Sequence, residues 1–322
     1  MKKAAKIVLF AFAAVMMAGN VSAFGGKKKK DSTVKIGIVQ LVEHPALDKN
    51  YQGFIDGLKE AGYVDGKNIK IDYQNAQGEQ ANCVTIAQKF VNGRYDLIFA
   101  IATPAAQAVA NLTKKIPILV SSVTDPASAR LVKSNEKPGT NVTGTSDLTP
   151  CAAQIDLIKK IVPNARTVGI MYCSSEQNSE FQAKLAEAQC KKVGLNYIEA
   201  TVSNSNEIQQ VTQSLVGKVD VIYAPTDNML AAGMATVSKV ATDNKIPTIV
   251  GEDGMVQSGG LATFGIDYYE LGKQTAKMAA EVLQGKKAPK DMPIQYLEKC
   301  EFSYNKDTLE KLGITLPSDL VK

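Results

Sequence analysis

Four times this chain runs an apolar segment straight into small polar and acidic residues. Segment 98–104 ends in Thr103-Pro104, 120–126 in Thr124-Asp125-Pro126, 221–228 in Thr226-Asp227-Asn228, and 249–253 in Glu252-Asp253. Hydroxyls, carboxylates and an amide at the end of a strand can hold a small polar molecule by hydrogen bonds and charge. They do not make a nucleophile. The G-x-S-x-G elbow of a serine hydrolase is missing, and His44, the sole histidine, has no serine–aspartate partner in view. Gly-rich phosphate loops are missing after the first apolar segment, which speaks against a nucleotide. With one histidine and no CxxC spacing among the cysteines, no metal site is expected, and no cofactor either. A glycosidase needs only paired carboxylates. Asp125 with Asp227 or Glu252 would supply them, so an exported carboxylate-dependent glycosidase stands as one alternative.

The clusters need a frame. Residues 34–39, 68–73, 96–100 and 116–121 read as strands, separated by helices at 50–61, 79–92 and from Pro104 onward. Alternation at this spacing means βαβ units, hence a parallel sheet with right-handed crossovers. Residues 133–143 break the pattern with Asn135, Pro138 and Gly139. A second series follows, with helices at 151–161, 179–193, 205–216 and 228–244. Its strands are expected at 167–172, 196–200, 219–224, 247–250 and 261–265. A helix at 269–284, a strand at 294–297 and a helix at 306–312 complete the chain. Open α/β sheets bind ligands beyond the carboxyl ends of their strands, which is where the polar clusters fall.

The first residues carry an address. Lys2, Lys3 and Lys6, an apolar stretch at 7–18, and Val21-Ser22-Ala23 have the layout of a secretory signal peptide over residues 1–23. The apolar run is short for a membrane span. Residues 24–33, with lysines at 27–30, read as a flexible leader. No cysteine precedes Cys83, so a lipid-modified cleavage point is not expected, and a periplasmic location is. The net charge of +5 owes much to these lysines, and nucleic acid is not an expected partner. Without the signal roughly 300 residues remain, more than one core usually holds, so two domains are expected. Of the five cysteines, Cys151 opens an expected helix and Cys173 ends the strand after it. Both fall at the same face of the second half, which makes them the expected disulfide in an oxidising compartment.

The segments GIVQLVEHPALDKNYQGFIDGLKEAGY, IATPAAQAVA, VTDPASARLV, GTNVTGTSD, PTDN and FGIDYYELGKQ resemble one family of ABC-transporter substrate-binding proteins. The resemblance runs in order from about Val34 to Pro317. It implies the type I periplasmic-binding-protein fold, α/β with two doubly wound parallel-sheet lobes joined by three crossovers. Lobe 1 would hold residues 34–143 plus 264–297, and lobe 2 residues 144–263 plus 298–322, with hinges near Gly144, Gly265 and Lys299. Several members bind aromatic amino acids, so the implied ligand is an aromatic or other apolar amino acid. The implied partner is an ABC permease, and the chain is expected to act as a monomer and not as an enzyme. A sensor that presents the ligand to a membrane receptor is the other alternative.

An amino acid brings a carboxylate and an ammonium, and both must be re-solvated by protein when a clamp shuts. Thr103, Pro104 and Ala105 offer a hydroxyl and N–H groups at a helix start, where an anion is favoured. Thr124 and Ser146 add hydroxyls. For the ammonium Asp227 is the leading counter-charge, followed by Asp125, Asp147, Glu252 and Asp253. Gln40 would reach the ligand from lobe 1, and Ser174, Asn178, Thr226 and Asn228 from lobe 2. Tyr172, Phe264 and Tyr268 are candidate aromatic walls. No arginine sits among the clusters, which fits a zwitterion better than a dianion. Each residue also has a plainer role: Asp227 as a helix cap, Thr103-Pro104 as a helix start, Asp125-Pro126 as a turn.

Overall fold

The structure, a computed structural model, describes residues 33–321. The expected signal peptide and all of the leader except Thr33 lie outside the described residues. Two sheets carry the fold. The first is built from β1 (Val34–Gln40), β2 (Ile69–Asn75), β3 (Leu97–Ile101), β4 (Ile118–Val123) and β5 (Val142–Ser146) in the order β2-β1-β3-β4-β5. All its pairings are parallel. Strands buried on both faces must be apolar throughout. Leu97–Ile101 and Ile118–Val123 are accordingly buried at every position.

Helices α1 (Pro45–Glu60), α2 (Gln80–Asn92) and α3 (Thr103–Leu112) connect these strands. The second sheet follows α4 (Cys151–Ile161) and contains β6 (Thr167–Cys173), β7 (Asn196–Val202), β8 (Val221–Ala224) and β9 (Thr248–Val250). Between them lie α5 (Gln177–Lys192), α6 (Ile208–Ser214), α7 (Asn228–Ala232) and α8 (Met234–Asp243). Then come α9 (Asp253–Gln257), β10 (Ala262–Gly265), α10 (Tyr268–Leu283), β11 (Glu301–Tyr304) and α11 (Lys306–Leu312). The order is β11-β10-β9-β8-β6-β7, parallel except for the antiparallel edge strand β11.

The chain returns to the first lobe after β10. There α10 packs on α1 at backbone distance. A Cβ on Gly53 would meet the Tyr269 carbonyl oxygen at 1.9 Å, and one on Gly272 would meet that of Asn50 at 2.1 Å. Only glycine permits this approach, and it brings the start of α10 beside the first strand tips.

Several boundaries differ from the sequence reading. Val142–Ser146 pairs with β4, so the first sheet extends past residue 143, and Gly144 sits inside it. Its φ of +149° and the 1.9 Å between an added Cβ and the Val120 carbonyl oxygen explain the glycine as a close approach at a β-bulge. Phe264 and Gly265 belong to β10 in the second sheet. Residues 294–297 form no strand; Gln295 makes a single bridge to Thr145. The last strand is Glu301–Tyr304, which the sequence reading did not foresee. The helix expected over 228–244 is broken at Gly233, where a side chain would strike Ile208 at 2.4 Å.

The expected Cys151–Cys173 disulfide is not formed, since both thiols are free. The Cys151 thiol donates to Gln182 Oε1 at 3.8 Å, whereas Cys173 Sγ lies 3.0 Å from Ser175 Oγ. The two groups share a lobe but face different neighbours.

Candidate ligand-binding site

The carboxyl ends of the two sheets face one another, and contacts across the gap prove the approach. Gln107 on α3 donates to Gln177 Oε1 on α5 at 2.8 Å, and Gln177 donates to the Ser128 carbonyl at 2.6 Å. Gln182 on α5 donates to Thr124 Oγ1 at 3.2 Å. On the other rim Lys49 on α1 lies 3.5 Å from Asp253 on α9, and Gly254 presses on Pro45 and Ala46.

Between these rims buried polar atoms are left without hydrogen-bond partners. From the first lobe they are Gln40 Oε1, Thr103 Oγ1, Ser122 Oγ and both nitrogens of His44; from the second, Asn178 Oδ1 and Glu252 Oε1. Asp147 Oδ1, on the connection after β5, joins them. Native interiors leave few such groups, because each costs about 1–3 kcal/mol when unpaired. Eight such atoms belong to residues at or beside the strand tips of the two lobes.

Local backbone explains how they are presented. Ala102, at the tip of β3, has φ +83°, and Ser122, near the end of β4, has φ +53°. Non-glycine residues in this region cost energy and cluster at functional sites. The two turns lie at the residue before Thr103 and at Ser122 itself. Ala102 cannot cap α3 with a side chain, so the ten-residue helix begins there without a side-chain cap. Its N-terminal dipole and the unpaired Thr103 hydroxyl suit a carboxylate.

The charge is one-sided. Asp147, Glu176, Asp227 and Glu252 are all buried, whereas no lysine or arginine is buried among the described residues. Asp147 Oδ2 accepts the Tyr268 hydroxyl at 2.8 Å. Burial raises the Asp147 carboxyl to about 6, against the lowering effect of that hydrogen bond. Burial likewise raises Glu252 to about 8; its own cap bond from the Gly254 N–H lowers it, and Asp253 and Asp147 raise it further. Asp227 is pushed up by burial and then by Glu176. His44 is lowered to about 4 by burial, so its imidazole is neutral, and Asn228 from the second lobe approaches it. Beside Glu252 and Tyr268 a cavity of about 180 Å³ is walled by Ile266 and Phe302.

The structure sorts the expected residues. Gln40, Thr103, Asp147, Asn178 and Glu252 have free polar atoms in the gap; Pro104 and Ala105 lie buried in the first turn of α3. Thr124 spans the gap to Gln182. Thr226 gives its carbonyl to Gln182 at 2.9 Å, and Asn228 bonds Glu176. Others are engaged elsewhere. Asp125 closes a turn with the Ser128 N–H and Asn135. Ser146 donates to the Thr124 carbonyl at 2.6 Å, and Ser174, exposed, to that of Val202. Asp253 is half-exposed beside Lys49. Tyr172 bonds Glu199, and Phe264 packs on Phe302.

The main correction concerns Asp227. One oxygen caps α7 by accepting the Leu230 N–H at 2.8 Å, and the other accepts the Cys173 N–H at 2.6 Å. Both of its oxygens are engaged within the protein, whereas Asp147 Oδ1 and Glu252 Oε1 have no partner. Asp125 with Asp227, one pair suggested for a glycosidase, is thereby occupied. Asp227→Ala is expected to lower stability by about 2 kcal/mol, a lost cap plus an unpaired amide, with ligand affinity changed less than tenfold. Urea unfolding and titration calorimetry check the two halves; a large affinity loss at unchanged stability would restore the ligand role. Sequence reasoning did not single out Ser122; Tyr268, expected as a wall, lines the cavity and also holds Asp147 through its hydroxyl.

Comparison with known proteins agrees with this geometry. Residues 35–322 match the family described as ABC transporter substrate binding protein. The chain is similar to a tyrosine-binding protein of Clostridioides difficile (strain R20291), 49% identical over 298 residues, covering 92% of this chain and 86% of that one. It is also similar to a Streptococcus pneumonia ABC domain solved in complex with L-Trp, with 41% identity, TM-score 0.87, and 90% and 98% of the two chains covered. The ligand-free, open structure of a substrate binding protein with adhesive properties from Clostridium difficile shares 48% identity but a TM-score of only 0.69, over 89% and 97%. The less identical of these two superposes better. The fold is that of type I periplasmic binding proteins, and the chain belongs to the ABC transporter substrate-binding protein family.

Proposed function

We propose that this chain captures an aromatic amino acid outside the cytoplasm and hands it, as a monomer, to an ABC permease. The observation that carries the reading is a pair of buried acids, Asp147 and Glu252, each with an unpaired oxygen and, among the described residues, no buried lysine or arginine to answer it. An ammonium supplies the missing charge. The uncapped start of α3, with Thr103 and Ser122, receives the carboxylate, and the cavity beside Tyr268 and Phe302 gives room for a ring. The relatives named for tyrosine and solved with L-Trp support the choice of side chain.

A thermal-shift screen against the free amino acids tests it. A ligand at a hundred times its Kd stabilises by about 2.7 kcal/mol, a rise of several degrees in Tm for a chain this size. L-Tyrosine or L-tryptophan is expected to give the largest rise. A melting point unmoved by every amino acid would sink the assignment. Uptake assays with the permease deleted separate delivery from sensing.

A further inference from the structure

Beneath the first-lobe half of the site runs a buried chain of side-chain hydrogen bonds, and its direction can be worked out. Thr275 on α10 donates its one proton to the Leu271 carbonyl at 2.9 Å. Thr145 on β5, 2.8 Å away, must therefore donate to Thr275 Oγ1. Ser121 on β4, 2.8 Å from Thr145, must in turn donate to it. Asn50 Nδ2 on α1 donates to Ser121 Oγ at 2.7 Å. All four side chains are fully buried. Each hydroxyl gives once and receives once, so the chain has one proton order.

This chain meets the site at three points. The Ser121 carbonyl accepts the N–H of Ala102 at 3.1 Å, fixing the left-handed turn that presents Thr103. Ser121 also precedes Ser122, the second left-handed residue. Asn50 Nδ2 lies 3.4 Å from the Tyr268 carbonyl, at the helix start whose hydroxyl holds Asp147. Left-handed backbone at non-glycine residues persists only where the surroundings over-determine it. The three hydroxyls are satisfied and Asn50 Nδ2 is engaged, while Asn50 Oδ1 has no partner; satisfied buried polar groups of this kind help specify one arrangement of a core.

We propose that Asn50, Ser121, Thr145 and Thr275 are positioning residues for ligand binding: they hold the strained tips of β3 and β4 and the Tyr268–Asp147 pair in binding register. The proposal rests on the amino-acid reading of the cleft.

Its test is Thr145→Val, which keeps the shape and removes the hydroxyl, with Thr145→Ser as the conservative rescue and Ser121→Ala as a second break in the chain. Titration calorimetry with L-tyrosine and with L-tryptophan, well below the melting point, is compared with the wild type. Thr145→Val and Ser121→Ala are expected to weaken binding at least tenfold, and Thr145→Ser to stay within threefold of wild type. If the two chain-breaking variants lower the melting point while binding as tightly as wild type, the chain is merely structural and the proposal is overturned. Equal weakening by Thr145→Ser and Thr145→Val overturns it too, because packing and not the hydroxyl would then be at fault. Failure of the wild type to bind either amino acid would overturn the underlying reading, and the proposal with it.

Discussion

Asp147→Asn is expected to raise the Kd for L-tyrosine or L-tryptophan roughly 100-fold or more. Removing one member of a buried, hydrogen-bonded charge pair costs about 2–5 kcal/mol, and each 1.4 kcal/mol is tenfold in affinity. Three features place Asp147 at the top of that range. It is buried, no lysine or arginine is buried among the described residues, and Oδ1 has no internal partner to fall back on. The asparagine amide would also turn a donor toward the ligand's own donor. The fold should survive, because the remaining carbonyl can still accept the Tyr268 hydroxyl now bonded to Asp147 Oδ2. Calorimetric Kd together with an unchanged Tm checks both statements. An affinity within threefold of wild type would move the ammonium site elsewhere, with Glu252→Gln as the next substitution to measure.

The second large effect is on pH. Burial holds Glu252 near 8 and Asp147 near 6, both above their ordinary values. An acid whose folded pKa is raised contributes stability that is complete below its unfolded value and lost as pH climbs through the folded value. His44 works the other way. Its pKa is depressed to about 4, so its contribution is intact above about 6.5 and lost as pH falls toward 4. Between about pH 6.5 and 8 the imidazole is neutral in both states, and Glu252, joined at the lower end by the raised Asp227, sets the slope. The ligand-free protein should therefore melt at lower temperature as pH rises through this window, by up to about 1.4 kcal/mol per unit per carboxyl. A bound ammonium answers the carboxylates, so the stabilisation by L-tryptophan should grow over the same interval. Scanning calorimetry at both ends of the window, with and without the amino acid, measures this. A flat ligand-free profile, or one that Glu252→Gln does not flatten, would show that these carboxylates are not dehydrated.

The strand ends that form the site were legible because alternation of strands and helices fixes which ends of a parallel sheet carry the loops. Glu252 falls at such an end, whereas Asp147 follows a strand, Val142–Ser146, that the sequence does not show. Asp227 could not be told from Glu252 by sequence, since each is an acid following an apolar strand. What separates them is where the spare oxygen points. In Asp227 it reaches the Cys173 N–H, whereas in Glu252 it reaches nothing. Ser122 was hidden because its left-handed turn uses neither glycine nor asparagine, the residues that usually mark one. Strand Val142–Ser146 was lost for the opposite reason: its glycine reads as a break and instead permits close approach to Val120. Strand Glu301–Tyr304 is too short and too exposed to show a pattern.

Four of the five thiols, Cys83, Cys151, Cys173 and Cys190, lie sealed in the interior, and burial raises each to about 11. Thiolate is the reactive form, so these four resist alkylation while the chain stays folded. Cys300 alone is exposed, immediately before the strand Glu301–Tyr304 where the chain re-enters the second sheet. A maleimide dye would therefore attach at one defined spot on the native chain, beside the last passage between the lobes. The molecule comes with its own handle for an optical readout of domain movement.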